Sequence, residues 1–105
     1  MRRVNEALRE VLAAAISSEI KDPRIGFVTI TSVDTSPDLR SAKVFVSVMG
    51  TETELNDSLA GLESANGFLQ ARIASEMKLK RTPKLHFVHD DTIERADRLT
   101  RLLED

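Results

Sequence analysis

The sequence predicts an α+β fold in which helices pack on one face of a three-stranded sheet. Two neighbouring runs rich in β-branched residues, and a shorter third run near the C-terminus, are typical of strands. Segments with apolar residues every three or four positions precede, separate and follow these runs. The order helix, strand, strand, helix, break, helix, strand, helix within 105 residues favours a two-layer sandwich in a single domain, residues 1–105.

The first helix is predicted from Val4 to Ile20. Its apolar residues fall on one stripe, at Val4, Ala7, Leu8, Val11, Leu12, Ala15, Ile16 and Ile20. The segment KDPR ends it, because Asp22 precedes Pro23 and a residue before proline is disfavoured from helical geometry.

The two strands that follow should pair as an antiparallel hairpin. The first is predicted from Phe27 to Asp34, and the second from Ser41 to Met49. In the second strand, one face is predicted to carry Ala42, Val44, Val46 and Val48, and the other Lys43, Phe45, Ser47 and Met49. Between them, TSPDLR supplies the proline and aspartate that favour a turn.

A helical stripe with an interruption comes next. Leu55, Leu59 and Leu62 mark the stripe, and Leu69, Ile73 and Met77 resume it. Between them stand Ala65, Asn66 and Gly67, and a glycine inside a helix costs about 1 kcal/mol relative to alanine. We expect a kink here, with Gly67 letting two helices meet at an angle and the pair packing across one face of the sheet.

The C-terminal part contains one more strand and one more helix. Pro83 ends the helix pair, and Lys84–His89 is predicted to be the third strand. Asp91 and Glu94 have the spacing of a capping box, and the stripe after them predicts a short final helix.

Charge is distributed unevenly along a chain whose net charge is −2. Residues 50–64 carry four acids and no base, whereas residues 65–84 carry five bases and one acid, a net charge of +4. A polyanionic partner would therefore bind one positively charged face of this protein, although the net charge of the chain is negative.

Several functional classes are disfavoured. The chain has no cysteine, its longest apolar run (Val11–Ile16) is too short to span a membrane, and its N-terminus lacks a signal-peptide core, so we expect a cytoplasmic protein. His86 and His89 should point to opposite faces of a strand, and no nucleophile–base pair or nucleotide-binding motif occurs. We therefore predict no catalytic residue, metal or cofactor.

The aromatic residues bear on how a polyanion such as a nucleic acid would be bound. There are four Phe and no Trp or Tyr. Phe27, Phe45, Phe68 and Phe87 are spread one per element, so we expect them to serve the core. A sheet that stacks bases needs exposed aromatic side chains, so this expectation favours backbone contacts.

Three segments carry a family resemblance: KDPRIG, the Ala-x-Gly at 65–67, and LKRTPKLHF followed by TIERA. With the opening RRVNEALREVLAAAI, they resemble the bacterial ribosome-binding factor A family over nearly the whole chain. The resemblance implies a type II KH-like domain in which a kink at Ala-x-Gly replaces the phosphate-clamping GxxG loop. It also implies a non-catalytic assembly factor of the small (30S) ribosomal subunit that acts late in 16S rRNA maturation and in cold adaptation.

The primary candidate RNA-binding residues lie at the predicted kink and after it. The helix after the kink begins with free N–H groups, which suit phosphate, and a basic run follows it. The primary candidates are Ala65, Asn66, Gly67, Arg72, Lys78, Lys80, Arg81 and Lys84. Additional candidates are Arg2, Arg3, Arg9, Arg24, Arg40 and Lys43.

Other interpretations of these residues remain open. Gly67 could be a packing glycine, and the basic run could complement a helix dipole. Arg24, Arg40 and Lys43 could protect sheet edges, and the N-terminal arginines could serve solubility.

The implied partners are the small subunit and 16S rRNA, with other assembly factors, including a ribosome-associated GTPase, as further candidates for a monomeric protein. The alternative is a protein-interaction module that uses the acidic 52–63 helix face or the last helix without direct RNA contact. Salt dependence separates the two hypotheses, since binding to phosphate weakens steeply with salt.

Overall fold

A computed structural model describes residues 2–91 of the chain. The elements are α1 (Arg2–Ser18), β1 (Phe27–Thr35), β2 (Ser41–Met49), α2 (Glu52–Ser64), α3 (Asn66–Glu76) and β3 (Lys84–His89). The predicted α+β fold and the order of elements up to the third strand are confirmed. The helix predicted to follow Asp91 lies outside the described residues.

The sheet has the order β1-β2-β3. β1 and β2 pair antiparallel, which confirms the predicted hairpin, and β2 and β3 pair parallel. A register shift between Ile30 and Ser32 places one extra residue in β1. Because of this bulge, Ile30 and Val33 both face the core although they are three positions apart.

The core lies between the helices and one face of the sheet. Its buried apolar residues are Leu8, Leu12, Ala15, Ile30, Val33, Ala42, Val44, Val46, Val48, Leu62, Leu69, Ile73 and Leu85. The members from α1 follow the predicted stripe, although the helix begins and ends two residues earlier than predicted. The Thr35 amide donates to the side chain of Asn5 at 3.1 Å, which fixes the first turns of α1 beside the end of β1.

The segment KDPRIG forms a loop held against α2. The Ser58 hydroxyl of α2 accepts from the Gly26 amide at 3.1 Å and donates to the Arg24 carbonyl at 3.4 Å. Gly61 permits the contact, because a Cβ at this position would lie 2.7 Å from Cγ1 of Ile25. Hydrogen bonds and close packing therefore explain why this segment needs a serine and a glycine opposite it.

Candidate RNA interface

The break between α2 and α3 lies at a single residue, Ala65, whose φ of −87° and ψ of 3° interrupt the helix. Its amide bonds to the carbonyls of Gly61 and Leu62, both at 3.1 Å, and its carbonyl accepts from the Leu69 amide at 2.9 Å. Gly67 is the second residue of α3 and does not have a positive φ. The predicted interruption is confirmed, but the expectation that Gly67 supplies the bend is wrong.

Asn66 joins the start of α3 to the outer edge of β3. Its Nδ2 donates to the Leu85 carbonyl at 2.7 Å, and the Leu85 amide donates to its Oδ1 at 3.3 Å. Both backbone groups of an edge-strand residue are thus paired by one side chain. Since Lys84 precedes Leu85, this pairing also brings the start of α3 next to the basic run.

Two further side chains continue this pairing along β3 and the residue that precedes it. Gln70 donates to the Pro83 carbonyl at 3.1 Å, and the Phe87 amide donates to a carboxylate oxygen of Glu63 at 3.3 Å. We call Glu63, Asn66 and Gln70 the edge clamp. Their spacing of three and four residues places them on one side of the helix pair, where they meet alternate strand residues. The edge clamp fixes the helix pair relative to β3.

The basic run lies beyond the end of α3 and not in its last turn. α3 ends at Glu76, and Met77 already has extended geometry, with φ −124° and ψ 140°. Lys78, Lys80, Arg81 and Lys84 are all exposed. None of the four forms an ion pair within 4.0 Å among residues 2–91. This geometry disfavours the interpretation that these cations complement a helix dipole.

The start of β3 brings this run to the start of β2. The Lys84 amide donates to the Arg40 carbonyl at 3.0 Å, and Lys43 is the strand partner of His86. The hydroxyl of Ser36 holds the pKa of Asp38 below its usual value, with smaller contributions from the amide and charge of Arg40 and from the charge of Arg81. We call the cations of this run and of the adjoining start of β2 the basic end, namely Arg40, Lys43, Lys78, Lys80, Arg81 and Lys84.

The other candidate cations are placed differently. Arg72 bonds two carboxylates, Glu19 at 3.0 Å and Glu76 at 2.7 Å, so its charge is already balanced within the protein. Arg24 pairs with Asp22 at 2.7 Å and Arg9 pairs with Glu6 at 3.1 Å. Arg2 and Arg3 are exposed in the first turn of α1. RNA contact by any of these residues stays a prediction.

The expectation that all four phenylalanines serve the core is wrong for three of them, and only Phe87 packs against it. Phe45 shares its strand phase with Lys43 and Ser47, on the face of the sheet away from the helices. Phe27 is 77% exposed and Phe68 is 45% exposed. Phe27 stands opposite Met49, which is 72% exposed. The sequence held a signal that could have indicated this, because Met49 shares its strand phase with Lys43 and Ser47. A face that carries lysine and serine is a poor place for buried side chains.

The family model described as Ribosome-binding factor A matches residues 1–103. This chain belongs to the ribosome-binding factor A family. A curated relative of that name from Natranaerobius thermophilus is 42% identical over 102 residues, covering 97% of this chain and 78% of the relative. Membership of the ribosome-binding factor A family thus applies to nearly the whole chain.

Solved structures of the family share the fold. The crystal structure of ribosome-binding factor A from Thermus thermophilus matches with a TM-score of 0.75 and 27% identity, covering 84% of this chain and 93% of that one. A homology model of the Thermus thermophilus protein, fitted into a cryo-EM map of a 30S–RbfA complex, matches with a TM-score of 0.67 and 28% identity, covering 82% and 90%. The three helices and mixed three-stranded sheet of residues 2–91 are therefore the family's fold, consistent with a type II KH-like arrangement.

Residues 2–91 contain neither a membrane-spanning helix nor a metal-binding cluster. No helix in this part of the chain is both long and apolar enough to cross a membrane. No cluster of three or more His, Cys, Asp or Glu residues is arranged there to hold a metal ion. Among the described residues, the basic end and the neighbouring start of α3 remain the candidate site.

Proposed function

We propose that this chain is a non-catalytic assembly factor that binds the small (30S) ribosomal subunit through 16S rRNA. It acts as a single KH-like domain in the cytoplasm, as a monomer, late in 16S rRNA maturation, and it is important in cold adaptation. Other assembly factors, including a ribosome-associated GTPase, are its further partners. The observation that carries the proposal is the basic end, in a family whose Thermus relative has been fitted into a 30S complex.

The basic end suits the phosphate backbone of a folded RNA. Its cations are exposed, and only Arg40 is paired within the described part of the chain, to Asp38 at 3.6 Å. Both partners of that pair are mostly exposed, so the pair is weak and can be exchanged for a phosphate. Across the outer edge of β3, the start of α3 adds backbone N–H groups aligned with a helix dipole. Such contacts give affinity and position without reading base sequence.

The alternative of a protein-interaction module using the acidic face of α2 has less support. Glu54 forms the capping box with Thr51, and Glu63 accepts the Phe87 amide. Two of the four acids on residues 50–64 therefore have structural roles. A surface used mainly for a partner would be expected to leave its charges available.

Co-sedimentation with immature small subunits over a range of salt concentrations tests the proposal. In the variant with Lys78, Lys80, Arg81 and Lys84 all changed to alanine, we expect weaker binding and a slope of log K against log salt shallower by about 2–4. The control variant is Glu52→Gln with Asp57→Asn, which removes exposed charges from α2 and should not weaken binding. Unchanged affinity and slope in the folded quadruple variant, with loss in the control, would instead support the protein-interaction module.

A further inference from the structure

The sheet has a second face, on the side opposite the helices. The core residues of all three strands point toward the helices, and the intervening residues point the other way. We call this second surface the open face. Its residues include Phe27, Thr29, Ser32, Asp34, Lys43, Phe45, Ser47, Met49, Lys84, His86 and Val88. Within residues 2–91, no helix packs on it.

Two rows of apolar side chains cross the open face. The first is the exposed pair Phe27 and Met49. The second is Phe45, flanked by Ser32 on β1 and by Val88, which is 37% exposed, on β3. The rows are four residues apart along β2, a distance of about 13 Å. The row of Thr29 and Ser47 lies between them. Single exposed apolar residues are ordinary, but an exposed and a half-buried aromatic residue in two rows of one face indicate an interaction surface.

Lysine side chains occupy the rows that follow toward the basic end. Lys43 and His86 are strand partners, and Lys84 is the partner of Ser41. The acid of these rows is Asp34, which stands opposite Lys43. A second acid, Asp90, lies next to Val46 at the level of the aromatic rows, where its carboxylate accepts the Thr31 hydroxyl at 2.8 Å. The open face therefore changes from aromatic to basic along β2 and is continuous with the basic end.

We propose that the open face is a second RNA-binding surface, which takes single-stranded RNA. Bases stack on Phe27 and Phe45, and Lys43 and Lys84 hold the adjoining phosphates. Aromatic platforms next to cationic grooves are the common means of binding single strands, since every base has a face that can stack. The lysines beside the aromatic rows favour a polyanion over an apolar protein surface. The inference rests on the proposed function, because the occupant is RNA.

Fluorescence tests this surface directly, because the chain contains no Trp and no Tyr. The full-length Phe27→Trp variant introduces one indole on the open face. The control is Asn56→Trp, at an exposed position of α2 in the other layer. We expect a 12-nucleotide single-stranded oligouridylate to quench the indole of Phe27→Trp in a saturable manner, and an RNA duplex of equal length to quench it less. The indole of Asn56→Trp should not respond to either RNA.

A second variant measures the contribution of stacking. Phe27→Ala removes an exposed side chain, so the fold should be retained. Its affinity for the single-stranded oligomer, measured by fluorescence anisotropy of labelled RNA, should fall by about fivefold or more. Lys43→Gln combined with Lys84→Gln should weaken binding and reduce its salt dependence.

Different results overturn the inference and the proposed function. If wild-type protein co-sediments with small subunits but single-stranded RNA neither quenches the Phe27→Trp indole nor binds Phe27→Ala less well, the open-face inference fails alone. If wild-type protein does not co-sediment, the proposed function fails.

An indole of Phe27→Trp that iodide cannot reach in the free protein would place another part of the chain on this face. An emission shift that depends on protein concentration without RNA would place a second copy there, and either result overturns the inference.

Discussion

Asn66 pairs both backbone groups of Leu85, donating to its carbonyl at 2.7 Å and accepting from its amide at 3.3 Å. Leu85 is fully buried on an edge strand, where its outward-facing backbone groups have no neighbouring strand. A buried backbone group without a partner costs about 1–3 kcal/mol. One side chain of α3 thus completes the hydrogen bonding of β3 and closes the edge against another strand.

We therefore expect Asn66→Ala to lower the free energy of unfolding by about 1–3 kcal/mol, measured by urea denaturation. Hydrogen exchange at the Leu85 amide should accelerate more than at amides paired within the sheet. The control is Asn56→Ala, an exposed asparagine on α2, which should change stability by less than about 0.5 kcal/mol. If Asn66→Ala were as stable as wild type but failed to bind small subunits, Asn66 would be an RNA contact and not a structural one.

Replacement by alanine should lower the stability of the fold at Gly61 but not at Gly67. At Gly61 an added Cβ would lie 2.7 Å from Cγ1 of Ile25 and 3.4 Å from Oδ2 of Asp22. Gly61→Ala must push the 22–26 loop away from α2, and we expect a loss of about 1–3 kcal/mol in thermal or chemical unfolding. Wild-type stability in this variant would show that the loop moves without cost and is not held by packing.

The ion pair in the same loop predicts a pH dependence. The side chain of Arg24, followed by its backbone amide, lowers the pKa of Asp22 in the folded protein. Since the folded pKa lies below the unfolded value of about 3.9, the stabilisation is present above that value and is lost as pH falls through the folded pKa. Arg24→Gln should raise the pKa of Asp22, seen in an NMR titration of its carboxyl group, and flatten the loss of stability in acid. The control variant Arg9→Gln should leave the titration of Asp22 unchanged. An unaltered pKa of Asp22 in Arg24→Gln would show that Arg24 is not what lowers it.

Local patterns in the sequence were sufficient for the elements and for most of the core. Alternation in β2 predicts its buried face, because Ala42, Val44, Val46 and Val48 share one phase. In β1 nearly every residue is β-branched or small, so composition cannot decide which residues face inward. The bulge between Ile30 and Ser32 then changes the phase within the strand. This is why the exposure of Phe27 was missed.

The candidate site was predicted less completely, because it depends on contacts between distant segments. The charge run at Lys78–Lys84 is visible in the sequence, but its meeting with Arg40 and Lys43 follows from the parallel pairing of β2 and β3. The edge clamp was missed for the same reason. Its residues look like an ordinary polar stripe until β3 is placed beside them. For Arg72, the partner Glu19 is 53 positions away, so its pairing could not be predicted from local spacing.

Gly67 provides the test that separates a packing role from an RNA contact. It lies in the first turn of α3, its φ is not positive, and a Cβ built on it meets no atom within 4 Å. Gly67→Ala should therefore keep the fold and gain up to about 1 kcal/mol of stability, because alanine has the higher helix propensity. The internal structure gives no reason for a glycine at this position.

A close approach of the RNA backbone to the start of α3 would supply that reason. We expect Gly67→Ala to bind small subunits more weakly while unfolding at the same or a higher temperature, because its methyl group fills space that a phosphate needs. The control is Ala71→Gly, at an exposed position of the same helix, which should lose stability by about 1 kcal/mol and keep its binding. Equal binding by Gly67→Ala and wild type would remove residues 65–67 from the interface and leave the basic end as the RNA contact.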